Sequence, residues 1–250
     1  MQLAVISPPS LLEFSAGTTY HLVLPHLLRT ARYSRFYHEA PGYKILDNGV
    51  AEDVNVDDDD LIALMATNNF DELVVPDAMG DCELTIWKMN NFERLAKANP
   101  WYSYMGVCHG TTMPEVMKCI QAMYYSPYIT TIGLPRILVD TIHREARVNL
   151  AQFIYSHLGL DKPIHCLGSG SFKQEPILLN ELGAATPRGI DTSMPVYMGM
   201  LLKDIETDNY ERRPSDYFDR HTGPAERKWI EHNVRVYTHW CGAAPSFGEV

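Results

Sequence analysis

Short apolar runs that break off at polar or glycine-rich residues alternate along this chain with longer stretches of helical period. Residues 43–46, 73–75, 102–107, 128–132, 164–167 and 189–190 read as strands, because each is a brief apolar segment bounded by turn residues. Residues 3–6 form a similar run closed by Pro8-Pro9, and residues 20–28 an apolar segment interrupted by His21 and His26. Between the runs lie helical patterns. Residues 83–98 turn Leu84, Trp87, Leu95 and Ala96 toward a core and stop before Pro100. Residues 114–123 start with Pro114 at a first-turn position, and residues 140–158 form one long amphipathic stretch ended by Gly159. Residues 174–182 carry Ile177, Leu178 and Leu182, with Gly183 as the C-cap. The acidic run 57–60 precedes LIALM, where carboxylates suit the free N–H groups and dipole of a helix start. From Tyr43 onward, strand-then-helix recurs about every 28 residues, the signature of a parallel α/β fold. Together with a length of 250 residues, this predicts a single-domain (β/α)₈ TIM barrel.

After Met200 the alternation lapses. Residues 204–228 are rich in charge, with Arg212-Arg213, Arg220-His221 and Arg227-Lys228, so residues 1–200 are expected to form the barrel with its mouth and residues 201–250 to complete or flank it. An apolar fraction of 46% suffices for a sizeable core, while a formal charge of −10 argues against diffuse attraction to nucleic acid. Any such binding must then rest on a local basic flank, for which Arg212, Arg213, Arg227 and Lys228 are the candidates. Five scattered cysteines, with no CxxC pair, predict a reducing compartment and no cysteine-based metal site. The start MQLAVISPPS has neither a basic region nor an apolar run long enough for a signal or a span, so the expectation is a cytoplasmic protein without a membrane partner.

The residues that follow the strands are the candidate chemistry, since barrel sites are built at the C-terminal strand ends. They are Asp47, Asp77, His109, Gly133 and Asp191, one from each of five strands. Singly, an aspartate past a strand is a cap or turn residue. Converging on one mouth, two carboxylates can divide labour as nucleophile and as acid or base, because burial and mutual repulsion separate their pKa values. His21 and His26, isolated in an apolar segment, are read as structural.

The ordered set LDNG (46–49), PDA (76–78), GVCHG (106–110), IGLP (132–135), HCLGSGS (165–171) and GID (189–191) resembles the tRNA-guanine transglycosylase superfamily. There DSGG, FDE, GIVQG, GGL, LMGVG and GIDMFDC follow one another at similar intervals. The match is colinear over residues 43–195. The resemblance implies a TIM barrel that exchanges guanine in nucleic acid for a 7-deazaguanine base through a covalent intermediate, with no cofactor. It makes Asp47 the proton-transfer carboxylate and Asp77 the reader of the base's N–H edge. His109 would meet the base carbonyl, and Gly133 with Leu134 would offer it backbone groups. Asn48 and Gly168 would be further substrate contacts. The sequence departs from the family at three points. GIDTSMP places Met194 where the tRNA enzymes have their nucleophile, which leaves Asp191 as the carboxylate able to attack. Val50-Ala51 replace the stacking aromatic after Gly49, and this sequence holds no CxCxxC with a following His. The resemblance is therefore greatest to the branch, phage and bacterial, that inserts 7-deazaguanines into DNA.

DNA is thus the expected partner, with tRNA the nearest alternative; a homo-oligomer is compatible with either. A non-catalytic subunit of the same superfamily is a reading from another class. A metal-dependent barrel hydrolase ranks last, because no HxH accompanies His109 and His165.

Overall fold

The computed structural model describes residues 1–159, 161–169 and 172–243. Eight parallel strands form one sheet: β1 (Gln2–Val5), β2 (Tyr20–Val23), β3 (Tyr43–Leu46), β4 (Glu72–Val74), β5 (Ser103–Val107), β6 (Thr131–Pro135), β7 (Ile164–Leu167) and β8 (Gly189–Thr192). They are hydrogen-bonded in the order β1-β8-β7-β6-β5-β4-β3-β2, and β1 lies against β2, so the sheet is nearly closed into the predicted barrel. Helices fill the connections: α1 (Ala31–Glu39), α2 (Asp58–Asn68), α3 (Cys82–Ala98), α4 (Met113–Tyr125), α5 (Ile137–Thr141), α6 (Ala146–His157), α7 (Glu175–Asn180), α8 (Met194–Met200) and α9 (Pro224–Trp240). No helix among the described residues is long and apolar enough to cross a membrane.

Side chains alternate between the barrel interior and the layer under the helices. Gly189 shows how tightly the interior is filled: a Cβ there would lie 2.4 Å from the Tyr20 ring. The glycine makes room for an aromatic that reaches across from β2.

Several sequence expectations shift. β6 starts later than expected and runs on through Pro135, so Gly133 lies inside a strand, not at its end. The stretch 140–158 is two helices, α5 and α6, separated at residues 142–145. On α3 the buried face is Cys82, Thr85, Met89, Phe92 and Ala96, whereas Leu84 and Trp87 face solvent at 42% and 61% exposure. Ala96 and Leu95 do lie against the core, as expected, while the start of the helix buries Cys82, Thr85 and Met89 instead of Leu84 and Trp87. α1 was missed altogether: its core side is made by Tyr33 and Tyr37, polar-tipped residues that do not register as an apolar stripe. The C-terminal charged segment is not irregular to its end. α9 buries Ile230, Val234 and Tyr237, packs on α8, and completes the helical layer.

Candidate active site

At the C-terminal end of the barrel Asp47, Asp77, His109 and Asp191 are all withdrawn from solvent, at 5%, 5%, 3% and 2% exposure. Asp47 continues β3, its N–H donating to the Val23 carbonyl at 2.9 Å, and its Oδ2 accepts from Gly49 N–H at 3.0 Å. Gly49 has φ of 86°, a left-handed conformation that suits glycine and lets the backbone fold back onto the carboxylate. Burial pushes the Asp47 carboxyl up to about 7, against the lowering effect of the Gly49 hydrogen bond, and the negative charges of Asp77, Asp191 and Glu52 add to the rise. Asp47 therefore shares its surroundings with both of the other mouth aspartates.

Asp77 is held from two sides. Asn48 Nδ2 donates to its Oδ1 at 3.1 Å, and His109 Nε2 lies 2.8 Å from its Oδ2. Gly80 N–H donates to His109 Nδ1 at 3.3 Å, and since an amide N–H cannot accept, the ring proton sits on Nε2 and points at Asp77. Both ring nitrogens are thus occupied, and His109 does not have a free donor for a base carbonyl; it braces Asp77 instead. Asn48 is likewise consumed, since its amide also donates to the Val75 carbonyl at 2.9 Å and its Oδ1 accepts from Val50 N–H at 3.0 Å. Asn48 and His109 thus both bond Asp77.

Gly133 and Leu134 lie within β6. The Gly133 carbonyl accepts from Cys108 N–H at 3.0 Å, and its α-carbon is covered by Leu167, Val107 and Met105. The Leu134 carbonyl accepts from Arg147 Nη1 at 3.3 Å. Because β6 runs past both residues, these carbonyls take part in the sheet and in the Arg147 clamp.

Asp191 accepts at both oxygens: His165 Nε2 lies 3.1 Å from Oδ1, and Gly168 N–H donates to Oδ2 at 3.0 Å. The register explains the first contact. His165 pairs with Gly189, and Asp191 is two residues further along β8, on the same face and one step nearer the mouth. Gly168 has φ of 70°, so only a glycine turns its N–H back toward Asp191 without strain. Its carbonyl is fixed in turn by Arg147 Nη1 at 2.8 Å. Gly168 is thus tied to both Asp191 and Arg147.

Behind His165 the polar chain goes on. Tyr20 Oη is 2.9 Å from His165 Nδ1, Arg188 Nε donates to Tyr20 Oη at 3.1 Å, and Arg188 forms an ion pair with Glu72. None of these residues is among the candidates the sequence offers. The available signals were a charge at the head of the run ELV and a histidine inside IHCL.

The basic flank is mostly spoken for. Arg213 pairs with Glu52 and lies over the rings of Tyr217 and Phe218 at 5.2 and 4.8 Å, and Arg227 pairs with Glu13. Arg212 and Lys228 are exposed, with no ion pair among the described residues. The two lone histidines behave structurally: His21 Nε2 donates to the Pro41 carbonyl at 3.1 Å, and His26 packs against Phe218. All five cysteines are buried thiols. Asp204, Glu206 and His232 place ligand-type atoms within 4.8 Å of one another, but Glu206 and His232, the latter on α9, are exposed, and Asp204 accepts from Glu206 N–H in a local turn.

Fold and site together define an α/β barrel whose C-terminal mouth holds three buried aspartates, each differently supported. No family model matches the chain, and comparison with curated proteins finds no match.

Proposed function

We propose that the protein is a transglycosylase that exchanges guanine in DNA for a 7-deazaguanine base through a covalent aspartyl intermediate. The observation that carries this reading is Asp47: a buried carboxyl poised near neutrality beside two other aspartates is suited to giving and taking a proton at physiological pH. Asp191 is the nucleophile. Its carboxylate oxygen bonds to C1′ of the target deoxyguanosine while the C1′–N9 bond breaks, the electron pair leaving with guanine. Protonated Asp47 supplies the proton that the departing base takes up. The incoming 7-deazaguanine returns a proton to Asp47, its N9 attacks C1′, and the ester to Asp191 breaks. Two displacements at one carbon retain its configuration. Asp77, its two oxygens already steadied by Asn48 and His109, keeps lone pairs for the N–H edge of a flipped base. DNA is preferred over tRNA because this sequence has no cysteine set of the kind the tRNA enzymes use to hold RNA.

The test is base exchange with labelled guanine on DNA duplexes and, in parallel, on tRNA, with the adduct trapped by denaturation. Asp191→Asn should abolish exchange and adduct on DNA, and Asp47→Asn should slow turnover at least about a hundredfold while base binding survives. Exchange by Asp191→Asn at the parent rate would place the nucleophile elsewhere, and exchange confined to tRNA would overturn the choice of DNA.

A further inference from the structure

The interior of a TIM barrel is ordinarily packed with branched apolar side chains. Here it contains a continuous polar chain that runs from the floor to the mouth. Glu72 and Arg188 form an ion pair near the starts of β4 and β8, Arg188 reaches Tyr20 at 3.1 Å, Tyr20 reaches His165 at 2.9 Å, and His165 reaches Asp191 at 3.1 Å. Glu72 and His165 are fully buried, and Tyr20 is only 3% exposed. Such a set is poorly chosen for stability alone. Burying an ion pair often gains nothing over apolar residues of the same volume, and Glu72 Oε1 is left without a partner among the described residues.

The direction of the chain follows from the donors. A guanidinium can only donate, so Tyr20 Oη accepts from Arg188. A carboxylate can only accept, so the His165 ring proton sits on Nε2, aimed at Asp191 Oδ1, and Nδ1 of the neutral ring accepts the Tyr20 proton. Every hydrogen bond therefore points from the Arg188 charge toward the mouth.

We propose that His165 is the positioning residue for Asp191: Tyr20 and Arg188 lock its tautomer, so that Nε2–H and the Gly168 N–H together fix the plane of the carboxylate that faces the substrate. The assignment rests on the transglycosylase reading of Asp191 and deepens it. His165 touches no reacting atom. Its contribution is orientation, through a ring whose two nitrogens have opposite duties. A chain that served only to fill the core would not need a fixed direction.

The experiment has a part without substrate and a part with it. In protein labelled with ¹⁵N-histidine, His165, assigned by its disappearance in His165→Gln, should show the Nε2–H tautomer with an unprotonated Nδ1. A proton on Nδ1 overturns the proposal. In single-turnover adduct formation, His165→Leu should lower the rate about a hundredfold with the affinity for free base unchanged. His165→Gln, which keeps an N–H donor and a carbonyl acceptor, should recover most of that rate. Tyr20→Phe, a milder change that secures a folded protein, should fall between. A parent rate in His165→Leu, or equal losses for the Leu and Gln variants, overturns the proposal. If the parent protein forms no adduct at all, the transglycosylase reading fails, and the tautomer alone then decides whether the directed chain exists.

Discussion

Asp47 is the residue whose environment departs most usefully from that of a free side chain. Its carboxyl titrates near 7 in the folded protein against 3.8 for the ordinary group, so between those values the folded state binds the extra proton. Stability must then fall as pH rises from about 4 through 7, and level off above, because the unfolded chain gives up that proton first. Asp47→Asn removes this dependence while an amide oxygen can still accept from Gly49. The variant should gain on the parent by up to a few kcal/mol at pH 8 and show little gain at pH 4, read from urea unfolding at both values. A constant difference across the range would mean that Asp47 is charged throughout. His109 and Asn48 teach the complementary lesson. Their types fit a base-binding site, yet their hydrogen bonds go to Asp77 and to the backbone of Val75, Val50 and Gly80, a fact that follows only from who stands next to them.

At the scale of elements, the mouth between β6 and β7 depends on one buried cation. Arg147, in the first turn of α6, pairs with Glu175 in the first turn of α7, both fully buried, and also donates to the carbonyls of Leu134, Leu167 and Gly168 at 3.3, 3.1 and 2.8 Å. Two strands, two helices and the glycine that anchors Asp191 are thereby tied together. Arg147→Met should cost about 3–5 kcal/mol, since it strands a buried carboxylate. The double variant Arg147→Met/Glu175→Leu should recover only part, because the three carbonyls still lack the Arg147 donor, Leu167 keeping only Arg136 N–H. Full recovery would show that those carbonyl contacts contribute nothing. The sequence marks Arg147 merely as one charge on a helical stretch; its burial comes from the neighbouring loops closing over it.

For the whole molecule, charge decides what can bind. With a net charge of −10 and with Arg213 and Arg227 already neutralised by Glu52 and Glu13, the C-terminal flank presents mainly Arg212 and Lys228 to a phosphate backbone. Replacing those two by Ala should flatten the slope of log K against log salt for DNA by no more than about 2. Arg213→Ala should act differently, lowering stability by about 1 kcal/mol through its ring and carboxylate contacts. A large change in salt slope from Arg213→Ala alone would contradict that division. The same segment closes the fold: Tyr217 Oη donates to the Ile6 carbonyl at 2.7 Å, and the Met1 amino group donates to the Cys241 carbonyl at 3.1 Å, so the residues just after α9 meet the first residue of the chain.

The barrel itself was legible in the sequence, because burial under helices imposes short apolar runs, turn residues impose their ends, and the two periods alternate for the length of the chain. The runs ending at Asp47, Asp77 and Asp191 could be picked out for the same local reason. What tertiary structure alone decided is where each polar group spends its hydrogen bonds. Whether His109 faces a ligand or Asp77, whether Gly133 ends a strand or lies within it, and whether His165 is a core histidine or the last link of a chain from Arg188 depend on residues up to 168 positions apart, as for Arg188 and Tyr20. Hydrogen bonds and charge interactions act over a few ångströms of space, and a sequence records distance along the chain only.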